Sequence, residues 1–375
     1  MIKEFKGYKV LTPSGYKNLD FTIDSGKFTS FKATKILPKY KVIPGFFDIH
    51  THGANGKDFT TVKDENDIKV ILDFYKSKGV TSVYPTLLTE HDSLIFRQLD
   101  LIYKASLTNP IIKGIHLEGP FLSSKYKGAQ LEECLQDPSI SKCEEFIKHS
   151  HGLFKYMTIA PEKKGSEEVI KYLVNKGIKV SLGHSDASFN DVTIAKNSGA
   201  TNFTHLFNAM RPISHHLPSI SEAGLYYDDM FTEVIVDGAH IDPNMVEFIY
   251  KIKKEDRFIA ITDSLMSAGL PDGEYKIGNT PIIVKGKDCL IKGTSTRAGS
   301  VLNMLDAFRN VKKFLNLDDL IASKLTSFNA SKSMGLDNII GSIEINKNAD
   351  FLILDDNDNL IETYINGEKV YFKNK

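Results

Sequence analysis

Over the first forty or so residues, apolar and polar positions alternate in short runs broken by Gly, Pro, Asn and Asp, as in "YKVLTPSGYKNLDFTIDSGKFTSFKA". A period of two with no helical period predicts a small antiparallel sheet. The C-terminal stretch "ADFLILDDNDNLIETYINGEKVYFK" has the same texture. Both ends are therefore expected to meet in one small β-sandwich domain, built from residues 1–42 and 341–375. Between them the pattern changes to short apolar runs followed by longer amphipathic segments, which predicts repeated βα units around a parallel sheet. Eight strands fall at 42–50, 80–86, 111–118, 153–160, 178–184, 201–205, 231–237 and 258–263, with helices between them such as 68–78, 166–175 and 244–254. Eight units in series predict an α/β fold of the (β/α)8 TIM barrel type over residues 43–340, with functional residues at the C-terminal ends of its strands. The stretch "GEYKIGNTPIIVKGKDCLIKG" reads as an inserted hairpin region, and 300–315 and 317–330 as closing helices.

Composition narrows the function classes. Lys plus Arg and Asp plus Glu both number 47, so the balanced charge gives no reason to expect a nucleic-acid partner or an anionic membrane surface. An anionic ligand has to be met by local groups. The cysteines, Cys134, Cys143 and Cys289, are scattered and form no CxxC. That argues against a disulfide frame or a thiolate zinc site, and they are expected to be packing residues. The N-terminal "MIKEFKGYKV" lacks the apolar core of a signal peptide, and no apolar run approaches the length of a membrane span, so a soluble cytoplasmic protein is expected.

The chemistry gathers at the strand ends. "PGFFDIHTHG" ends in His50 and His52, whose spacing on an extended segment points both rings the same way. Glu118 follows in "GIHLEGPF", His184 in "VSLGHSD", His205 in "NFTHLFNAM", Asp237 and His240 in "VDGAHID", and Asp263 in "AITDSLMSAG". Imidazoles and carboxylates without thiolates suit a catalytic divalent metal site with an open position. Each residue alone has a bland alternative: an isolated HxH can end a half-buried strand, His184 or His205 can be an interior histidine, and Asp263 can cap a helix. Glu118 resists one, because a carboxylate closing an apolar strand needs a cation or another charge partner. His116 is expected in the core or behind the ligands, and His91, His149 and His151 on the surface.

With these residues in hand, the sequence resembles the N-acetylglucosamine-6-phosphate deacetylases of the amidohydrolase superfamily. The likeness runs through "PGFFDIHTHG", "HLEGPF" followed by "GAQ", "GHSDAS", "THLFNAM", "DGAHID", "TDSLMSAG", "AGSVLNMLDAFRN" and "GSIEINKNADFLIL", in order and over almost the whole chain. The resemblance implies a metal-dependent barrel, usually a homodimer, that removes acetate from an amino sugar phosphate. It implies Glu118, His184 and His205 as main metal ligands, Asp263 as catalytic acid and base, and His240 as a substrate-contacting catalytic histidine. It also implies Ala129, Gln130, Asn208, Ala209, Asp237, Arg297, Ala298 and Gly299 as substrate-binding positions. Relatives that keep HxH can hold a second metal, so His50 and His52 leave room for one or two ions of zinc, iron, manganese or cobalt, with Glu118 as the bridge.

Two positions depart from the family pattern. Where relatives carry an arginine that grips the sugar phosphate, commonly from the neighbouring subunit, this chain reads "SHHLPS" and places His216, with Ser219 at a glycine position. Histidine offers one donor and partial charge where arginine offers a bidentate fork. Arg297 stands where relatives usually have a small or apolar residue, so a cation has entered the pocket lining. Three readings stay open: an amino sugar phosphate deacetylase, with an unphosphorylated or acidic N-acyl substrate as its variant; a cyclic amidase; and a non-catalytic metal-binding homologue.

Overall fold

The computed structural model describes residues 2–277 and 280–373. Strands Lys3–Thr12, Gly15–Asp24, Lys27–Ala33 and Lys41–Pro44 join Phe351–Leu354, Leu360–Ile365 and Glu368–Phe372 in one seven-stranded sheet. All its pairings are antiparallel except that of Lys3–Thr12 with Lys41–Pro44. The expected sandwich is thus hydrogen-bonded as a single sheet that curls over its own apolar interior. The Phe5 ring meets Phe351 and Tyr364 edge-on, each at 5.4 Å, and Phe21, Phe28, Val42 and Ile353 fill the remaining space.

The barrel strands are Phe46–Thr51, Val80–Leu87, Ile115–Glu118, Phe154–Ile159, Lys179–Leu182, Asn202–Phe203, Phe231–Ile235 and Phe258–Ile261, all parallel and in sequence order. The ring closes between last and first: Asp263 N–H donates to His50 O at 2.9 Å, and His52 N–H to Ser264 O at 2.8 Å. The predicted strand 42–50 divides at Gly45, because Lys41–Pro44 pairs with Phe351–Leu354 and only Phe46 onward pairs in the barrel. A Cβ at Gly45 would lie 2.1 Å from Thr81 Oγ1, so the crossing point has room only for glycine. Its N–H reaches Asp350 O at 3.1 Å and its carbonyl accepts from Ser327 Oγ at 2.6 Å.

The helices follow the expected pattern. Ser166–Asn175 is found as predicted, Glu65–Lys76 begins at an Asp64 cap, and Pro243–Arg257 begins at an Asp242 cap. The insertion is a three-stranded antiparallel sheet, Gly273–Ile277, Thr280–Lys285 and Asp288–Ile291, with residues 278–279 outside the described residues. After it come Met304–Leu315 and a run of shorter turns, Asp319–Ser323, Lys324–Phe328 and Asn329–Ser333. Among the described residues no helix is long and apolar enough to cross a membrane. All three cysteines are buried and unpaired.

A buried ion network ties the terminal sheet to the barrel helices. Lys41 Nζ lies 2.7 Å from Asp319 Oδ2 and also meets Asp358, Lys312 Nζ reaches both carboxylates at 2.5 Å, and the Tyr16 hydroxyl donates to Asp319 at 2.6 Å. Burial works against the Asp319 charge, but Lys312, Lys41 and Tyr16 outweigh it and hold the carboxyl at about 2. A folded-state value below the unfolded one stabilises above the ordinary carboxylate range and is lost as pH falls toward 2. Asp319→Asn is therefore expected to cost about 3 kcal/mol at pH 7 by leaving two lysines undercompensated. Urea unfolding should show that gap narrowing as the pH is lowered below the carboxylate range; a constant gap would contradict the assignment.

Candidate metal centre and active-site cleft

The expected site residues converge at the C-terminal mouth of the barrel, and most stand just beyond the strands. His50 is still in the first strand and Glu118 closes the third, whereas His184, His205 and Asp263 lie in the turns that follow Leu182, Phe203 and Ile261. Those three have φ of 49°, 27° and 48°, a left-handed backbone that costs a non-glycine residue roughly 1–2 kcal/mol. The predicted strands ran too long at these ends because the chain turns inward there to deliver a side chain. The conformations are held by backbone bonds such as Ser300 N–H to Asp263 O at 2.9 Å and Asn208 N–H to His205 O at 2.9 Å.

Glu118 is the centre of the cluster, 3% exposed. Its Oε1 lies 3.0 Å from His184 Nε2, 3.1 Å from His205 Nε2 and 3.4 Å from His50 Nε2. Its Oε2 lies 3.4 Å from His52 Nε2. Asp263 Oδ1 completes the far side, 3.1 Å from His52 Nε2 and 3.6 Å from His50 Nε2. His184 and His205 bring their Nε2 atoms within 3.2 Å of each other. Two imidazole nitrogens aimed at one point repel unless a proton or a cation lies between them, and His50 Nε2 has no hydrogen-bond partner although fully buried. Two triads, His50 with Glu118 and His205, and His50 with His52 and Asp263, each have ligand atoms within 4.8 Å of one another. The donor set fits a divalent ion of the zinc, iron or manganese kind.

The electrostatics agree. Burial alone would lower both histidines of HxH, yet Asp263 and Glu118 push His52 up to about 9, and Glu118, Glu233 and Asp263 hold His50 well above its ordinary value. Conversely, burial would raise Glu118, but His184 and His50 hold it well below the usual carboxylate range. Burial likewise opposes the Asp263 charge, and His52 overcomes it to leave the carboxyl depressed. Asp263 is thus ionised at neutral pH, as a base must be.

The surrounding residues orient the cluster. His184 Nδ1–H donates to Tyr126 O at 3.0 Å, which directs its Nε2 inward. Gln130 donates its Nε2–H to Glu118 Oε2 at 2.7 Å and accepts from Thr89 N–H at 2.8 Å. Its carboxamide thus braces Glu118, with a second N–H not used by that bond. His116, as expected, lies behind the ligands, bonded through both nitrogens to Thr86 Oγ1 at 3.2 Å and Thr158 Oγ1 at 2.8 Å. His240 Nδ1–H donates to Asp237 Oδ2 at 2.6 Å, so Asp237 holds His240 and leaves its Nε2 for a ligand.

An open cleft of about 640 Å³ leads to the cluster. His240, Ala129, Gln130, Asn208, Ala209, Arg297, Ala298 and Gly299 line it, as do Lys125 and Lys127, which sequence reasoning passed over. Asp237 lies behind His240 rather than in the lining. His216 is not brought into the cleft of its own chain: it is exposed, with its ring 3.9 Å from that of His215. The neighbouring Ser219 caps helix Ile220–Tyr226 in a capping box with Glu222. Glu233 and Tyr156 were also missed. The available signal was the one that singled out Glu118, a lone carboxylate inside an apolar strand, here "FTEVIVD".

A (β/α)8 barrel with HxH, a central glutamate, two further histidines and an aspartate at its mouth defines a metal-dependent hydrolase class, and the chain belongs to the amidohydrolase family, whose signature matches residues 41–370. Within that class it is similar to the N-acetylglucosamine-6-phosphate deacetylase of Bacillus subtilis, 33% identical over 332 residues, 87% of this chain and 83% of the relative. The crystal structure of the Thermotoga maritima deacetylase of that name superposes with a TM-score of 0.91 at 31% identity, covering 99% of this chain and 100% of the other. A Mycobacterium smegmatis deacetylase variant in complex with N-acetyl-D-glucosamine-6-phosphate superposes at 0.92 with 28% identity, covering 99% of each chain.

Replacing His205 with alanine is expected to weaken binding of the tightest divalent ion by more than about 100-fold, beyond what outer hydrogen-bond partners typically contribute. Metal content of the purified variant, with its fold checked by circular dichroism, tests this. Undiminished metal would mean that this cluster does not hold the ion.

Proposed function

We infer that this chain hydrolyses the N-acetyl group of N-acetylglucosamine-6-phosphate, giving glucosamine-6-phosphate and acetate. The observation that carries the reading is the convergence of five metal-type ligands on one ionised aspartate at the floor of a sugar-sized cleft. Glu118, His184 and His205 would hold one ion, and His50 and His52, with Asp263 and a shared Glu118, a second. A bound divalent ion supplies Lewis acidity, polarising the carbonyl and lowering the pKa of water toward about 7.

The chain's own residues do the rest. Asp263 accepts the proton of the water that attacks the acetyl carbon, and its protonated carboxyl then delivers that proton to the amine nitrogen as the C–N bond breaks. His240 is fixed by Asp237 through Nδ1–H, and in its imidazolium form it donates from Nε2 to the carbonyl oxygen as that oxygen gains charge, a contribution worth about 10²–10³ in rate in comparable sites. The cyclic-amidase reading loses support because Glu118 stands where such enzymes use a carboxylated lysine. A non-catalytic binder would have no use for an acid and base at the metal position.

With His216 outside the cleft of its own chain, Lys125, Lys127 and Arg297 are the cations near a bound sugar. Lys125 is committed to Asp186 at 3.0 Å and Arg297 to Asp288 at 2.8 Å, whereas the nearest carboxylate to Lys127 is Glu132 at 3.7 Å. Lys127 and the remaining donors of Arg297 are the proposed phosphate contacts. A homodimer is also proposed, since Ile213 and Leu217, in the loop that carries His216, and Tyr226, at the end of the helix that follows, are exposed at 51%, 69% and 71%, and light scattering tests it. The proposed compartment is the cytoplasm, in keeping with three unpaired cysteines.

Asp263→Asn is expected to keep the ion held by Glu118, His184 and His205 and lose about 10²–10⁴-fold in turnover; near-normal acetate release from a variant that holds this ion would refute the role. Lys127→Ala and Arg297→Ala are each expected to raise KM for the phosphorylated substrate about tenfold, one lost charge contact being worth roughly 1.4 kcal/mol, with little effect on unphosphorylated N-acetylglucosamine. Equal effects on both substrates would remove these cations from phosphate recognition.

A further inference from the structure

Glu233 sits in strand Phe231–Ile235 and is 0% exposed. A carboxylate in that position needs compensation. Its only ion-pair partner among the described residues is His50, whose Nδ1 lies 3.0 Å from Glu233 Oε2. Its other oxygen accepts a hydrogen bond from the buried Tyr156 hydroxyl. Because a carboxylate can only accept, His50 carries a proton on Nδ1, which leaves Nε2 as the nitrogen that faces the cluster, able to take a cation in place of a second proton. That nitrogen has no hydrogen-bond partner, and it lies 3.4 Å from Glu118 Oε1 and 3.6 Å from Asp263 Oδ1.

His116 shows what a purely structural histidine looks like in the same barrel. Its ring is 4.7 Å from that of His50, and both of its nitrogens are satisfied by threonine hydroxyls. His50 instead has one nitrogen on a buried anion and the other left open beside two carboxylates. A carboxylate behind a ligating imidazole fixes its tautomer and raises its basicity. The negative charge of Glu233 is also compensated when a cation meets the opposite end of the ring.

We propose that Glu233, anchored by Tyr156, is a positioning residue that makes His50 a ligand and thereby builds the second cation position, shared by His50, His52, Asp263 and Glu118. This rests on the metal-dependent reading above. It makes two ions the working state of this chain, with the ion at Glu118, His184 and His205 independent of Glu233.

The test is calorimetric titration of chelator-treated full-length chain with Mn²⁺ and with Zn²⁺, with metal content measured by mass spectrometry. Wild type is expected to take two ions. Glu233→Gln, which keeps the shape and removes the charge, should keep the first affinity and weaken the second about 10–100-fold. Tyr156→Phe should weaken the second in the same direction by a smaller factor. The unchanged first ion shows that the barrel is intact, which a general loss of structure would not leave. Equal second-ion affinity in wild type and Glu233→Gln overturns the inference, as does a wild type that releases acetate at full rate with one ion and takes no second. If Glu233→Gln does not fold, Tyr156→Phe decides by the same readouts. A wild type that binds no ion and releases no acetate sinks the metal-dependent reading together with this one.

Discussion

A buried carboxylate facing several imidazoles is the constraint around which the barrel mouth is organised. Glu118 alone would be expensive to bury, and His184 and His205 would repel where their Nε2 atoms meet. Together, with a cation between them, the groups compensate one another. The cost of bringing any one of them inward is recovered only when the others arrive, which makes the site cooperative in the same sense as the fold. Low local dielectric sharpens this, because an incomplete set would be penalised strongly.

The same logic extends downward into the barrel. Interiors of this fold are usually layered with branched apolar side chains, yet beneath the cluster this one carries a hydrogen-bonded polar layer. His116 joins Thr86 and Thr158, Thr158 joins Thr204 at 2.9 Å, and Thr204 donates to Ser181 at 2.6 Å. Such a layer supports the ligands against rotation while every polar group keeps a partner. The left-handed turns at His184, His205 and Asp263 add local strain, and backbone bonds hold each: Ser123 N–H to His184 O, Asn208 N–H to His205 O, and the ring-closing Asp263 N–H to His50 O. Stability is thus traded for placement at the ends of strands, where a rigid sheet fixes the starting point of each turn.

The cations of the cleft are placed separately from the histidine and carboxylate cluster. The ligands and Asp263 come from strand ends and the turns just after them, while Lys125, Lys127 and Arg297 come from longer loops and from the edge of the inserted sheet. Loops on a fixed barrel can exchange one cation for another without disturbing the metal end. His216, outside its own cleft, and Arg297, in the lining, both stand on such segments.

Much was legible in the residues themselves. The eight strands, the terminal β layer and the gathering of His50, His52, Glu118, His184 and His205 at one end of the barrel follow from periodicity and from charged residues closing apolar runs, because burial imposes both patterns locally. Strand ends at His184, His205 and Asp263 were not legible: a turn into left-handed backbone at a non-glycine residue contradicts local preference, and only the surrounding bonds impose it. Nor was the division at Gly45, where steric contact with Thr81 decides which sheet each half joins. Glu233 behind His50, Gln130 turned toward Glu118 and His216 left outside its own cleft depend on which side chains meet across the barrel. Sequence determined which residues need partners, since that is a matter of charge and hydrophobicity; tertiary structure alone decided who those partners are, since distance between remote segments exists only once the ring has closed.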